Sequence, residues 1–292
     1  MNKKIKLFCF GFGQVAKYFV RNLKKNKINF ELFATNTKGT QLKKFNTIEY
    51  KSYFFYDNTF DPNLLKDLNT ANKILISIPP RNKTDLVLKN FKKNFKKNKF
   101  DWVTYLSATS VYGDKKGEWV DEKTNPVPSS ERGISRLDAE KNWLNLYKNF
   151  KIPIQIFRLS GIYSKENNVL ERLKMGTLKI VKKKNHFFSR IHVEDIAGIL
   201  TSSLKKFAPG EIYNISDDYP CSNEEIIKFA SDLAKLDLPK KVNPEDLESE
   251  MLKSFYRDSK KVSNKRMKTF FGYELKYTTF KEGLNMIRNH SI

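Results

Sequence analysis

Two cysteines, Cys9 and Cys221, stand far apart in a chain of 292 residues. They can form neither a disulfide framework nor a CxxC metal site, so a reducing cytoplasm is the expected compartment. Histidine is almost as scarce. His186, His192 and His290 make no cluster with Asp or Glu at metal-ligand spacing, so no metal is predicted. Long apolar runs are missing too, and none approaches the ~20 residues that cross a bilayer. Met1-Asn2-Lys3-Lys4 followed by Ile5–Phe10 has the outline of a signal peptide. Its apolar part is short, however, and ends in glycines rather than in a small-residue cleavage site. The expectation is a soluble, unexported protein with no membrane partner.

Acidic residues are also in short supply: 55 Lys and Arg face 32 Asp and Glu, for a net charge of +23. The excess is mostly lysine spread with asparagine along helix faces, as in Asn90-Phe91-Lys92-Lys93-Asn94-Phe95-Lys96-Lys97. There Phe91 and Phe95 face a core and the lysines form a solvated face. No zinc-finger spacing, helix-turn-helix or RNA-recognition motif accompanies the charge. Polyanions should be attracted non-specifically at low salt, but no specific nucleic-acid partner is predicted.

The informative segment is Lys6-Leu7-Phe8-Cys9-Phe10-Gly11-Phe12-Gly13-Gln14-Val15-Ala16. It reads as a buried strand, a two-glycine turn and the first turn of a helix, the order of a dinucleotide-binding βαβ unit. Gly11 permits the tight turn, Gly13 lets the backbone approach a pyrophosphate, and small Ala16 lets helix pack on strand. The helix start at Gln14 and Val15 offers free N–H groups and a positive dipole end to the phosphates.

Apolar runs alternate with amphipathic helical patterns through the first half, which predicts an α/β fold of Rossmann type: a doubly wound parallel sheet with helices on both faces. Strands are expected at Ile5–Phe10, Asn29–Thr35, Ile48–Phe54, Lys73–Ile78, Trp102–Ser107 and Ile152–Arg158, and helices at Gln14–Lys25, Lys83–Lys97 and Gly133–Lys148. After Leu159 the pattern loosens. Ile191-His192-Val193 leads into a helix over Glu194–Lys205, Glu211–Ile215 reads as a late strand, and helices follow near Asn223–Leu236, Pro244–Ser254 and Phe280–Arg288. The predicted domains are a dinucleotide-binding core over 1–158 and a smaller C-terminal substrate lobe over 159–292, with about 194–216 returning to the core sheet. There is no internal repeat.

The tip of the second strand reads Ala34-Thr35-Asn36-Thr37-Lys38. It lacks the acid that accepts hydrogen bonds from an adenosine ribose. Asn36 and Lys38 are placed to meet a 2′-phosphate instead, so NADP(H) is favoured over NAD(H).

Tyr105-Leu106-Ser107-Ala108-Thr109-Ser110-Val111-Tyr112-Gly113-Asp114 resembles the extended short-chain dehydrogenase/reductases, the NAD(P)-dependent epimerase/dehydratase family. Further matches follow in order: Val120-Asp121-Glu122, Pro128 to Glu140, Arg158 to Tyr163, Arg190 to Ala197, and Ile212-Tyr213-Asn214-Ile215. The cofactor contacts expected are Gly11, Gly13, Gln14 and Val15 from the glycine motif, Asn36 and Lys38 from the strand tip, and Ser77, Pro79, Ser107 and Arg136, the last in a place that the resemblance assigns; the resemblance also implies a homodimer through the helices at 83–97 and 133–148. It also implies a Ser/Tyr/Lys set in which the tyrosine hydroxyl is acid and base and the lysine holds the nicotinamide ribose.

Here those places fall on Ala108, Arg132 and Arg136. Gly133, Ser135, Leu137 and Glu140 keep the family's spacing. The chain therefore looks like an atypical subgroup in which the tyrosine is missing. Arginine stays protonated and cannot alternate as acid and base. Two functions remain open. One is an oxidoreductase or epimerase-like enzyme acting on a carbonyl or sugar-type, anionic small molecule. In that enzyme Arg132 polarises the substrate, Arg136 takes the lysine's place, and Thr109, Ser110, Tyr112 and Tyr163 are hydroxyl candidates. The other is a non-catalytic NAD(P)(H) sensor or scaffold, with Arg132 and Arg136 on one helix face. Arg158 and Arg190 are the candidate substrate contacts. His192 reads as a packing histidine, and Asp195 as a tether between lobes. Asp121 and Glu122 read as a solvated turn.

Overall fold

The computed structural model describes residues 4–248, 253 and 256–289. The first half runs β1 (Ile5–Phe10), α1 (Gln14–Lys25), β2 (Phe30–Asn36), β3 (Gln41–Phe45), β4 (Ile48–Tyr56), β5 (Thr59–Phe60), α2 (Leu64–Thr70), β6 (Lys73–Ile76), α3 (Leu86–Lys97) and β7 (Trp102–Ala108). It continues through β8 (Trp119–Val120), α4 (Glu131–Phe150), β9 (Ile154–Leu159), β10 (Gly161–Tyr163), α5 (Val169–Lys174), β11 (Ile180–Val181), β12 (Arg190–His192) and α6 (Val193–Ser203). The remainder is β13 (Ile212–Ile215), α7 (Asn223–Ala234), β14 (Lys241–Val242), β15 (Lys261–Val262), α8 (Lys265–Phe271) and α9 (Phe280–Asn289).

Two compact units divide the chain: Met1–Ala108, Ile134–Arg158 and Ile196–Tyr213 in one, and Thr109–Gly133, Leu159–Asp195 and Asn214–Ile292 in the other. The grouping places 109–133 in the second unit, whereas the sequence reading assigns them to the core.

The first unit is organised by a sheet in the order β13-β9-β7-β6-β1-β2-β4-β3. The pairs β1·β2, β1·β6, β2·β4 and β6·β7 are parallel. Alternation along β1 sends Phe8 and Phe10 to one face, where Phe91 and Phe95 of α3 and Trp143 of α4 complete an aromatic core. On the other face Phe19 of α1 stacks on Trp102, whose Nε1 donates to Ser203 Oγ at 3.0 Å. Helices thus cover both faces, the doubly wound arrangement. The order reverses at β1, with β2 on one side and β6 on the other. A crevice at such a switch point is where open α/β sheets bind ligands.

The sequence reading misses β3, which pairs antiparallel with β4 in the register Gln41↔Ser52 to Phe45↔Ile48. It also misses α2 and α8. Helix α3 starts at Leu86 rather than Lys83, because Asn82 and Lys83 are left-handed and the Asp85 carboxylate caps Val87 and Leu88 N–H, each at 2.9 Å. Helix α7 stops at Ala234, where left-handed Lys235 ends it. Of the helix expected over 244–254, a 3-10 turn at Pro244–Asp246 is present, and 249–252 and 254 lie outside the described residues, as does His290.

In the second unit β10·β12, β11·β14 and β8·β15 are parallel pairs, and Leu170, Leu173, Ile180, Ile227, Phe280 and Leu284 form a core. Asp195 accepts from the backbone N–H of Lys276 and Tyr277 and from Tyr273 Oη, all within this unit.

Candidate functional site

The loop after β1 is shaped by its two glycines in different ways. Gly11 has φ +86°, and a Cβ there would sit 2.8 Å from Ser77 Oγ. Its N–H donates to Thr35 Oγ1 at 2.8 Å, and Ser77 Oγ donates back to Phe10 and Gly11 carbonyls at 3.1 and 3.0 Å. Ser77 is therefore a buttress of the turn. Gly13 is the N-cap of α1, with no side-chain cap, and a Cβ on it would meet nothing within 4 Å. Gln14 begins α1, while the Val15 side chain is buried in its apolar face and leaves only its backbone for a ligand.

A cleft of about 640 Å³ opens where β1, β2 and β6 end, within the usual size of small-molecule sites. Thr35, Thr37, Ile78 and Pro79 line it. Phe12, between the glycines, packs on Tyr50 at 4.6 Å and on Phe45 at 5.6 Å, pinning the β3–β4 hairpin to the glycine loop. The rim carries Lys17, Lys38, Lys43 and Arg81 but one acid, Asp57. Arg81 stacks on Tyr56 at 4.9 Å, and Lys89 stands 3.9 Å from Asp57.

Asn36 lines the cleft, but its side-chain amide is already engaged within the fold. Its amide donates to Gly39 O and Ser52 Oγ at 2.8 and 2.7 Å and accepts from Lys38 and Gly39 N–H at 2.7 and 3.1 Å. It ties the turn that presents Lys38.

Farther along the same sheet edge, Arg136 reaches from α4 to donate to the Leu106 carbonyl at 2.5 Å. Its charge opposes the burial that raises the Asp85 carboxyl and the Tyr105 hydroxyl. Asp85 Oδ2 also accepts from Trp143 Nε1 at 2.8 Å. The buried Ser107 hydroxyl, next to Leu106, finds no protein partner among the described residues.

Two candidate residues are internal. Arg158 forms a buried pair with Glu140, Nη2 to Oε2 at 2.7 Å, so it does not present its charge to a substrate. Tyr112 is fully buried and donates to Asn214 Oδ1 at 2.8 Å, which makes it a packing residue. In the second unit, Thr109 opens a 3-10 turn, half-buried, and Arg132 is exposed and paired with no carboxylate among the described residues. Glu122 is not a solvated turn acid, since it accepts from Asn214 N–H at 2.7 Å and burial raises it. Arg190 donates to Phe188 O and contacts Cys221 Sγ, each at 3.1 Å. His192 is buried between Tyr163 and Tyr277, with ring centroids at 5.0 and 4.3 Å, and burial lowers it to about 4.

Thr35, Lys43, Tyr56, Asp57 and Arg81 belong to the cleft but not to the predicted set. The aromatic-acid end of β4 and the cation after Pro79-Pro80 are the signals that point to three of them. No group of His, Cys, Asp and Glu among the described residues could hold a metal ion, and no described helix is long and apolar enough to cross a membrane.

No protein-family model matches the chain. A functionally unknown conserved protein from Silicibacter pomeroyi is 30% identical in sequence and superposes with a TM-score of 0.86 over 98% of this chain and 99% of its own. The dTDP-glucose 4,6-dehydratase from Bacillus anthracis, solved in complex with NAD, is 19% identical, with a TM-score of 0.76 over 98% and 96%. Among curated proteins, dTDP-D-glucose 4,6-dehydratase of Dictyostelium discoideum is 27% identical over 47% of this chain, which covers 35% of that protein's length. Protein YeeZ of Escherichia coli is 33% identical over 39% of each. The chain therefore belongs to one family with the Silicibacter pomeroyi protein, built on the fold of the NAD-dependent epimerases and dehydratases of short-chain dehydrogenase/reductase type.

Proposed function

We propose that this chain binds NADP(H) in preference to NAD(H) in the cleft at the ends of β1, β2 and β6. It then acts as an oxidoreductase or epimerase-like enzyme on a carbonyl or sugar-type small molecule, an anionic one in particular. The observation that carries the reading is the unobstructed Gly13 at the start of α1, beside a cleft rimmed by four cations and one acid. Those features suit a dinucleotide: open backbone N–H groups for the pyrophosphate, and cations with no ribose-binding acid after β2. The Ser107 hydroxyl, buried and without a protein partner among the described residues, lies one residue from the Leu106 carbonyl that holds Arg136. Structures with UDP-glucuronic acid and NAD bound share the fold and support an anionic, sugar-type substrate.

The nicotinamide, when bound, supplies or accepts the hydride. Gly13, Gln14 and Val15 would hold the pyrophosphate through the helix start. Arg136, already fixed on the Leu106 carbonyl, takes the place of the ribose-binding lysine in related enzymes. Arg132 would meet an anionic group or polarise a carbonyl, a task that its planar fork suits. It cannot donate and recover a proton as a tuned tyrosine does, a contribution typically worth about 10²–10⁴-fold in rate. Hydride transfer to neutral aldehydes is therefore expected to be slow.

The test titrates NADPH and NADH by fluorescence, then screens aldehydes, sugar ketones and nucleotide sugars by nicotinamide absorbance, with wild type and Arg132→Ala side by side. Turnover of an anionic substrate that Arg132→Ala abolishes is the expected result. Fast turnover of a neutral carbonyl, insensitive to Arg132→Ala, would assign the acid to another residue. Tight binding without any turnover would make the chain a dinucleotide sensor.

A further inference from the structure

We infer that the β3–β4 hairpin supplies a second cofactor-selecting cation beside Lys38, and that Lys43 binds the 2′-phosphate of NADP(H). The inference rests on the cofactor reading above and names a residue that adds to its selectivity. In the antiparallel register Lys43 stands directly opposite Tyr50. Opposed residues share a face of a sheet, and so do residues two apart on one strand. Lys43, Tyr50 and Ser52 are accordingly on one side, and all three line the cleft. Lys43 is half-buried, whereas its neighbour Lys44 points to the opposite face and is exposed.

The hairpin is also held in place for this task. Phe45, two residues beyond Lys43, packs with Tyr50 around Phe12 of the glycine loop. The strand that carries Lys43 is thus anchored to the loop that would carry the pyrophosphate.

The charge balance at this end of the cleft is one-sided. Lys17, Lys38 and Lys43 pair with no carboxylate among the described residues, and Lys17 lies over the Phe45 ring at 5.6 Å. Asp57 has Lys89 beside it. Lysine ammonium groups without an acidic partner suit a compact dianion such as a phosphate monoester. A ribose hydroxyl pair would call for an acceptor there, and Asn36 has no spare one.

The experiment measures dissociation constants of NADPH, NADH, adenosine 2′,5′-bisphosphate and ADP for wild type, Lys43→Ala and Lys44→Ala. Lys44→Ala removes the same charge from the other face and so reports the diffuse field alone. Thermal melting of both variants confirms that the hairpin folds. The expected result is that Lys43→Ala weakens NADPH and the 2′,5′-bisphosphate about fivefold or more, with NADH and ADP changed less than about twofold, and that Lys44→Ala leaves the NADPH/NADH ratio as in wild type. Equal losses for NADPH and NADH, no loss, or the same loss in Lys44→Ala would overturn the role of Lys43 while leaving the cofactor site intact. Wild-type protein that binds neither NADPH nor NADH would remove the cofactor reading itself.

Discussion

Placing a carboxylate at Gly13 separates ligand binding from folding, because the two respond in opposite directions. Gly13 is the N-cap of α1 with φ −83°, a conformation open to any residue, and a Cβ there meets nothing within 4 Å. Aspartate is a preferred N-cap and exceeds glycine there by a few tenths of a kcal/mol. The folded Gly13→Asp protein should therefore melt at or slightly above the wild-type temperature. Binding should collapse. A carboxylate about 4 Å from a phosphate charge costs about 4 kcal/mol at an effective dielectric of 20, which corresponds to about a thousandfold in affinity. Steric loss of the backbone approach adds to that. Isothermal titration with NADPH, paired with a thermal melt of the same sample, measures both quantities. NADPH affinity within tenfold of wild type, at an unchanged melting temperature, would refute the placement of the pyrophosphate at this helix start. The companion substitution Gly11→Ala should behave in the reverse sense, since φ +86° and the Ser77 contact at 2.8 Å make it destabilising.

Lys38→Ala should weaken NADPH selectively, whereas Asn36→Ala should lower stability by about 1–3 kcal/mol and weaken both dinucleotides; equilibrium unfolding and paired titrations distinguish the two. Glu140→Ala removes the carboxylate paired with the buried Arg158 guanidinium, and should cost about 3–5 kcal/mol in urea unfolding; a loss below about 1 kcal/mol would mean that water or a neighbour takes the charge. Asp217 is buried and raised from 3.8 to about 8, so between those values the folded state holds a proton that the unfolded state has released, and stability falls as pH rises through that window. The melting temperature of Asp217→Asn relative to wild type should accordingly be higher at pH 8 than at pH 5, and an identical difference at both would refute the assignment.

The first βαβ unit was legible because strand, glycines and amphipathic helix each follow from local rules that agree. The lysines of β3 hid it: Gln41-Leu42-Lys43-Lys44-Phe45 has the charge of an edge strand rather than the β-branched run of a central one. The site was harder to read than the fold. Nothing local distinguishes an arginine that meets a substrate from Arg158, whose partner Glu140 lies on the preceding helix and is brought alongside only when β9 joins the sheet. Tyr112 is a similar case, since its acceptor Asn214 is 102 positions away. Asn36 was legible as a polar tip, but its hydrogen bond to Ser52 exists only once β2 and β4 are paired.

That knot at Asn36 has a thermodynamic consequence. A loop ordered by its guest charges the ordering entropy against each association, about 1–2 kcal/mol for every backbone residue fixed. Here Asn36 binds Lys38 and Gly39 N–H groups, Gly39 O and Ser52 Oγ as part of the fold. The 36–39 turn has met that cost before any ligand arrives. Association at this end of the cleft should then proceed as docking to a preformed surface, with a single-exponential rate linear in ligand concentration and no slow ordering phase.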